Sequence, residues 1–222
     1  MNTVILVPVF NEGVTFLRWF PRLRSVAEKM KAEIIVVDDG SQQRLQLSGV
    51  VLLRHQVNCG AGAAVMTGIS YARENGAERV FTIDGDGQHD PEDLLRLNDA
   101  LEQGQADLVN GSRFLMRQPV PLSRRIGNAF ANVLTFFLSG FWLTDSQSGM
   151  KGFSQKALEH LDLRSAGYEW CTEVFREANW YRWHTQEVPI SVRYTPYSLQ
   201  KGQCFAVGMD MVIRLVARSL LR

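Results

Sequence analysis

Cysteine is scarce in this 222-residue chain: Cys59, Cys171 and Cys204 are odd in number, far apart and free of any CxxC or Cys/His metal spacing. That speaks against a disulfide framework, and the three read as reduced thiols of a cytoplasmic protein. Charge of one sign is also missing. Twenty-four basic residues against 23 acidic leave a net charge of +1, so no sequence-wide field draws the chain to nucleic acid. With 45% hydrophobic and 21% charged residues, and neither repeat nor low-complexity tract, disorder is excluded as the dominant state. A secretory leader is absent from the reading as well: the first apolar run, 4–10, follows no basic stretch, contains Pro8 and stops at Asn11-Glu12, as a strand would. The longest uncharged stretch, 126–144, approaches the roughly 20 residues that a bilayer span requires. Asn128, Asn132, Ser139 and Gly140 interrupt it, which favours an amphipathic or interfacial helix.

What the chain does contain is alternation. Apolar runs at 4–10, 33–37, 50–53, 80–83 and 106–109 read as strands, and 13–30, 61–74 and 91–103 as the helices between them. This order predicts an α/β fold with a mostly parallel central sheet and helices on both faces. After Asp145 the pattern changes to short helices near 155–161 and 169–180, then a strand at 185–194. No linker rich in proline or serine intervenes, so the reading is one domain: a Rossmann-like nucleotide-binding half at 1–112, an acceptor half at 113–204 and an amphipathic helix at 205–222.

The most informative residues are 83–92, Ile-Asp-Gly-Asp-Gly-Gln-His-Asp-Pro-Glu. Asp84 and Asp86 follow a buried strand and should emerge at its carboxyl end, where open α/β sheets bind ligands. Oxygen ligands at that spacing suit a hard divalent cation, Mg²⁺ or Mn²⁺, that keeps positions open for phosphate oxygens. An EF-hand loop also begins Asp-x-Asp, but the sixth position would be His89 where glycine is required and the twelfth Leu95 where glutamate is required. Asp90 before Pro91 reads as a helix cap. A dinucleotide fingerprint at Gly60-Ala61-Gly62 fails because its third glycine would be Val65, and no Walker A sequence exists. Those glycines predict a tight turn and close backbone packing.

In this order and spacing, the motifs make the chain resemble the family 2 glycosyltransferases of GT-A fold, most closely the dolichyl- and polyprenyl-phosphate sugar synthases such as the dolichol-phosphate mannosyltransferases. The residues that carry the likeness are Pro8-Val-Phe-Asn11-Glu12, Val37-Asp38-Asp39-Gly40-Ser41, Asp84-Gly85-Asp86-Gly87-Gln88-His89, Gly111-Ser112-Arg113, Asp145-Ser-Gln-Ser148-Gly149 and the basic segment 193–201. The resemblance implies a nucleotide sugar held by Pro8, Asn11, Glu12, Asp38, Asp39, Ser41, Gly60, Asp84 and Gly85. It implies a Mg²⁺ or Mn²⁺ ion on Asp84, Asp86 and Gln88, and a diphosphate neutralised by Arg193 and Lys201. From position alone, Asn11, Glu12, Asp38 and Asp39 fall at strand ends lining one crevice, though Glu12 and Asp39 would also serve as caps of the segments that follow. One departure is Asn58-Cys59-Gly60-Ala61-Gly62, where relatives often carry a longer polar or basic side chain between the glycines.

The acceptor decides whether a base is needed. A hydroxyl requires one, and Asp145 and Glu173 are the candidates beside Asp86; a lipid phosphate is already anionic at pH 7. In the lipid-phosphate reading Arg113, Arg124, Arg125 and Ser148 bind the acceptor, next to the uncharged 126–144 segment facing lipid. The expectation is an inverting hexosyltransferase acting on polyprenyl phosphate, cytoplasmic and peripheral at the inner membrane face. Its attachment would come from its own surface or from a membrane-anchoring partner protein. A hydroxyl acceptor is the enzyme alternative, and a nucleotide-binding or scaffold protein the non-enzyme one. Asp210, Arg214, Arg218 and Arg222 recur every four residues, as either a solvated face of a core helix or a membrane-surface helix.

Overall fold

The computed structural model describes residues 2–116 and 118–193. Lys201, the expected helix at 205–222 and Tyr194 lie outside the described residues. In chain order the elements are β1 (Thr3–Val9), α1 (Gly13–Met30), β2 (Glu33–Asp38), β3 (Val51–Arg54), α2 (Ala61–Glu74), β4 (Arg79–Thr82), α3 (Asp93–Glu102), β5 (Leu108–Ser112), α4 (Leu122–Ser139), β6 (Lys151–Phe153), α5 (Gln155–His160), α6 (Trp170–Trp180) and β7 (Thr185–Pro189).

The strands form one sheet in the order β3-β2-β1-β4-β6-β5-β7, so both halves of the chain share it. All neighbours pair parallel except β6, which runs antiparallel to β4 and β5. The β1 strand shows why an unbroken apolar run is needed: Val4 and Leu6 point into one core with α2, α5 and α6, while Ile5, Val7 and Val9 point into the other with α1 and α3. A strand covered on both faces has no polar side to show.

Differences from expectation are local. The strand read at 106–109 is Leu108–Ser112, because Asn110, Gly111 and Ser112 pair with Glu187, Val188 and Pro189 of β7. The short β6 was not legible: three residues, Lys-Gly-Phe, carry no period. The helix expected from Pro91 starts at Asp93, after a turn in which Asp93 N–H bonds Asp90 C=O and the Asp90 carboxylate accepts from Glu92 N–H. Asp90 therefore caps this turn and not the helix proper.

The topology fixes the site. The strand order reverses between β1 and β4, with β2 and β3 added on one side of β1 and β4 on the other, and such a switch point opens a crevice at the carboxyl edge of the sheet. Asn11 and Glu12 follow β1, Asp38 and Asp39 end β2, and Asp84 and Asp86 follow β4 at that edge. Since β6 is antiparallel, the segment leading into it, 145–150, arrives at the same edge. Beyond β7, Val192 bridges His89, and Arg193 N–H donates to Gln88 C=O at 2.8 Å.

Candidate active site

At the switch point Asp84 and Asp86 stand together. Burial raises the Asp86 carboxyl above its ordinary range, and the charge of Asp84 raises it further. The 86–88 turn is held by the Asp86 carboxylate, which accepts from Gln88 N–H at 3.0 Å and from the Gln88 side-chain amide. Gly85 abuts the Pro8 carbonyl, which places both beneath this turn. His89 is buried with Nε2 3.6 Å from an Asp84 oxygen, and its Nδ1 has no hydrogen-bond partner. Two carboxylates this close, with an amide beside them, form an all-oxygen donor set that fits a hard divalent cation.

Space for Asp84 comes from the other half of the chain. A Cβ on Gly149 would sit 2.3 and 2.4 Å from the two Asp84 oxygens. The 149 backbone is pinned in turn, since Thr82 Oγ1 donates to Gly149 C=O at 2.7 Å and accepts from Lys151 N–H at 3.2 Å. Glycine in the Asp-x-x-Ser-Gly string thus serves the acidic pair across the β4–β6 ladder.

Along β1 and β2 the expected nucleotide residues do converge. Asn11 sits at φ 54°, its N–H donating to Ser41 Oγ at 2.9 Å and its Oδ1 accepting from Gln42 N–H at 2.9 Å. Asp38 accepts from Ser41 N–H at 2.9 Å and from Arg54, whose other nitrogen donates to Ser41 C=O at 2.7 Å. Asp39 accepts from Cys59 N–H and Gly60 N–H, both at 2.8 Å, and lies 2.6 Å from His55 Nδ1. Its carboxylate organises the loop into α2, the capping role left open for it. Glu12 occupies the N-cap position of α1 without a capping hydrogen bond from its side chain.

Gly60 and Gly62 have a different neighbour from a ligand. A Cβ at either would fall 2.3 Å from Ala166 C=O or 2.0 Å from Ser165 C=O, and Ala63 N–H donates to Ala166 C=O at 3.1 Å. These glycines let the 165–167 backbone lie on the N-terminus of α2. That brings Tyr168 toward the acidic pair; burial raises its phenol pKa, and Asp84 and Asp86 raise it further.

The acceptor side is a buried charge network. Arg113 grips Asp145 with two bonds of 2.6 Å, while its backbone N–H donates to the same carboxylate at 3.0 Å. Asp145 is fully buried. Glu187 of β7 accepts from Asp145 N–H, Thr144 N–H, Thr144 Oγ1 and Asn110 Nδ2 at 2.8–3.2 Å. Lys151 donates to Asn110 Oδ1 at 2.6 Å and lies 4.5 Å above the Phe175 ring; burial pushes its pKa down. Glu173 is buried too, accepting from Arg164 N–H, Ser165 N–H and Arg176. Ser148 is fully buried, its hydroxyl accepting from Met150 N–H, so the structure does not bring it to the open crevice. Arg124 and Arg125 lie in the first turn of α4, Arg125 exposed. Arg193 is 68% exposed, 3.6 Å from Asp90.

Helix α4 is inside-out. Its buried residues are the polar Asn128, Thr135 and Ser139, while Leu122, Ile126, Phe130, Val133 and Phe137 are exposed. Asn128 and Asn132 both donate to Thr144 C=O at 2.9 Å, which explains the inward polar face. Among the described residues no helix is long and apolar enough to cross a membrane.

Sequence reasoning missed Arg54, His55, Lys151, Tyr168 and Glu187. The first two follow Asp38 and Asp39 only through the β2–β3 register, and Glu187 sits in a five-residue strand that reads as half-solvated.

The family model described as "Glycosyl transferase family 2" matches residues 4–162. The UDP-N-acetylglucosamine–dolichyl-phosphate N-acetylglucosaminyltransferase of Methanococcus voltae is 30% identical over 96% of this chain and 94% of its own. The polyprenol monophosphomannose synthase of Mycolicibacterium smegmatis is 30% identical over 86% of this chain and 77% of its own. Among solved structures, glucosyl-3-phosphoglycerate synthase from Mycobacterium tuberculosis, in complex with Mn²⁺, UDP and phosphoglyceric acid, superposes with a TM-score of 0.73. It is 18% identical, with 98% of this chain and 78% of that chain covered, a likeness of fold.

Proposed function

The chain belongs to glycosyl transferase family 2 and is a glycosyltransferase, and we propose that it transfers a hexose from a GDP- or UDP-sugar to a polyprenyl phosphate with inversion at the anomeric carbon. One observation carries the acceptor. Both carboxylates that sequence offers as bases for a hydroxyl, Asp145 and Glu173, are buried and spend their oxygens on Arg113, Arg176 and backbone N–H groups. Carboxylates so buried and engaged are not placed to reach a hydroxyl in the crevice, and an acceptor that is already anionic needs no base. Relatives whose names specify dolichyl and polyprenol phosphates support the same reading.

The chemistry is a single displacement. An acceptor phosphate oxygen attacks the anomeric carbon as the bond from that carbon to the β-phosphate oxygen breaks, leaving a nucleoside diphosphate. Asp84, Asp86 and Gln88 are the residues to hold a divalent cation, Mg²⁺ or Mn²⁺, which would offset charge building on that leaving group. Arg193, tied by its backbone to Gln88, adds positive charge on the same side, and Lys201 is the second expected contributor. Asn11, Glu12, Asp38, Asp39 and Ser41 line the crevice for base and ribose. Arg113, Arg124 and Arg125 meet the acceptor phosphate.

Membrane contact is part of the proposal. The exposed apolar stripe of α4, with Trp142 74% exposed just beyond it, is continuous with the end carrying Arg124 and Arg125. No acidic residue occurs from 108 to 144. Apolar side chains beside arginines suit an anionic bilayer surface, with the protein peripheral at the inner face.

The test is a panel of nucleotide sugars incubated with polyprenyl phosphate, read by organic extraction of labelled product. Metal-dependent label in the lipid phase is expected for one donor. Label passing to a soluble sugar acceptor and never to lipid phosphate would overturn the acceptor assignment.

A further inference from the structure

Outside the acidic pair, and among the described residues, one trio brings three metal-ligand atoms within 4.8 Å of one another: a carboxylate oxygen of Asp39, a ring nitrogen of His55 and the Cys59 sulfur. We propose that Asp39, His55 and Cys59 form a second cation site, for a thiophilic divalent ion such as Zn²⁺, at the nucleotide end of the crevice, and that this ion and the nucleotide exclude each other. The donor set of carboxylate, imidazole and thiolate with a fourth position open is one that zinc accepts. It differs in kind from the all-oxygen set at Asp84 and Asp86.

The surroundings are those of a ligated site. Thr67 Oγ1 lies 2.9 Å from His55 Nε2, so it can accept a hydrogen bond from Nε2–H, the tautomer that leaves Nδ1 facing Asp39 with its lone pair. Asp39 is oriented by two backbone N–H groups, from Cys59 and Gly60, just as ligating carboxylates are fixed by outer partners. Zinc bonds of about 2.0–2.3 Å place neighbouring ligand atoms about 3.5 Å apart, so the widest separation in the trio has to close by about 1 Å while the Asp39–His55 pair, now 2.6 Å apart, opens by a similar amount. Cys59 is exposed and supplies that freedom. Binding releases the thiol proton of Cys59 to solvent, while the single ring proton of neutral His55 sits on Nε2. Since Asp39 ends β2 at the crevice, an ion that engages its carboxylate occupies the place where base or ribose would hydrogen-bond. The exclusion rests on the proposed nucleotide site; the cation site does not.

Co²⁺ separates the two. Titrated into the whole protein, it should give thiolate-to-cobalt charge-transfer absorption that saturates at one equivalent, is displaced by Zn²⁺, is lost in Cys59→Ser and persists in Cys204→Ser. Cys171 is no rival, because burial pushes its thiol up to about 12. Calorimetric titration of GDP and UDP with Mg²⁺ should then show affinity falling at least tenfold when Zn²⁺ is present, in wild type but not in Cys59→Ser. Absence of the absorption band, or its survival in Cys59→Ser, overturns the cation site. A Cys59-dependent band with nucleotide affinity untouched by Zn²⁺ overturns the exclusion. Failure of both nucleotides to bind without Zn²⁺ overturns the nucleotide reading, and the cobalt spectrum then judges the cation site alone.

Discussion

Replacing Gly149 by alanine adds a single methyl group, 2.3 Å from one Asp84 oxygen, 2.4 Å from the other and 2.5 Å from the carboxyl carbon. Comfortable separations between such atoms are about 3.5–4.0 Å, so something must move by more than 1 Å. The backbone resists, because Thr82 Oγ1 holds both Gly149 C=O and Lys151 N–H and the strand is paired on both sides. The displaced group is therefore the Asp84 side chain. Overpacking of this kind costs about 1–3 kcal/mol, and a cost of that size at a ligand position weakens binding by about 5- to 150-fold. Calorimetric titration of GDP or UDP with Mn²⁺ should show that loss in Gly149→Ala, with metal-free nucleotide affinity little changed. Thermal melting of the metal-free protein adds an independent reading. The Asp84→Ala/Gly149→Ala double variant should melt above Gly149→Ala, since the clash partner is gone. Wild-type Mn²⁺-dependent affinity in Gly149→Ala, or strictly additive melting shifts, would refute the argument.

Three further outcomes follow from the geometry. The folded-state carboxyl of Asp86 is raised, so the native fold holds that proton more tightly than the unfolded chain does, and ionisation costs stability at pH values above the folded pKa. Asp86→Asn should accordingly raise the melting temperature of metal-free protein at pH 7, with the gain vanishing below the ordinary value of 3.8, while removing metal-dependent nucleotide binding. Arg113 and Arg125 should separate: Arg125→Gln raises KM for lipid phosphate at unchanged melting temperature, whereas Arg113→Gln strands the buried Asp145 charge and costs about 3–5 kcal/mol of stability in denaturant titration. On α4, Phe130→Ser with Phe137→Ser should release the protein from anionic vesicles in co-sedimentation, since each buried aromatic contributes about 1.5–3 kcal/mol; undiminished binding would take the membrane role away from this helix.

The fold was legible where burial is two-sided and long. Runs such as 4–10 and 33–37 leave little choice but a strand between two helical layers, and the alternation then dictates parallel order. It was illegible where pairing, not composition, makes the element. β6 has three residues and no period, and β5 reaches Ser112 only because β7 lies alongside. Tertiary partners decided both.

At the site the motifs located residues but not their duties. The closeness of Asp84 and Asp86 could be read from spacing, because two residues of one turn stay near each other whatever the rest of the fold does. By contrast, Gly149 is 65 residues from Asp84 and its duty is a void, which no local pattern reports. The same distance effect explains Asp145 and Glu173. In sequence each is a carboxylate near an expected acceptor, and a base is a fair reading of it. In space Arg113 closes on one, and Arg176 with the 164–165 backbone on the other. The chain has thus committed these two acidic groups to holding loops together, and in the proposed function the arginines at the start of α4, of which Arg125 is exposed, meet the acceptor. On the proposed function, an enzyme arranged in this way takes a nucleophile that arrives already charged. The inside-out helix beside those arginines gives such a nucleophile, if it is carried on a lipid, a surface on which to arrive.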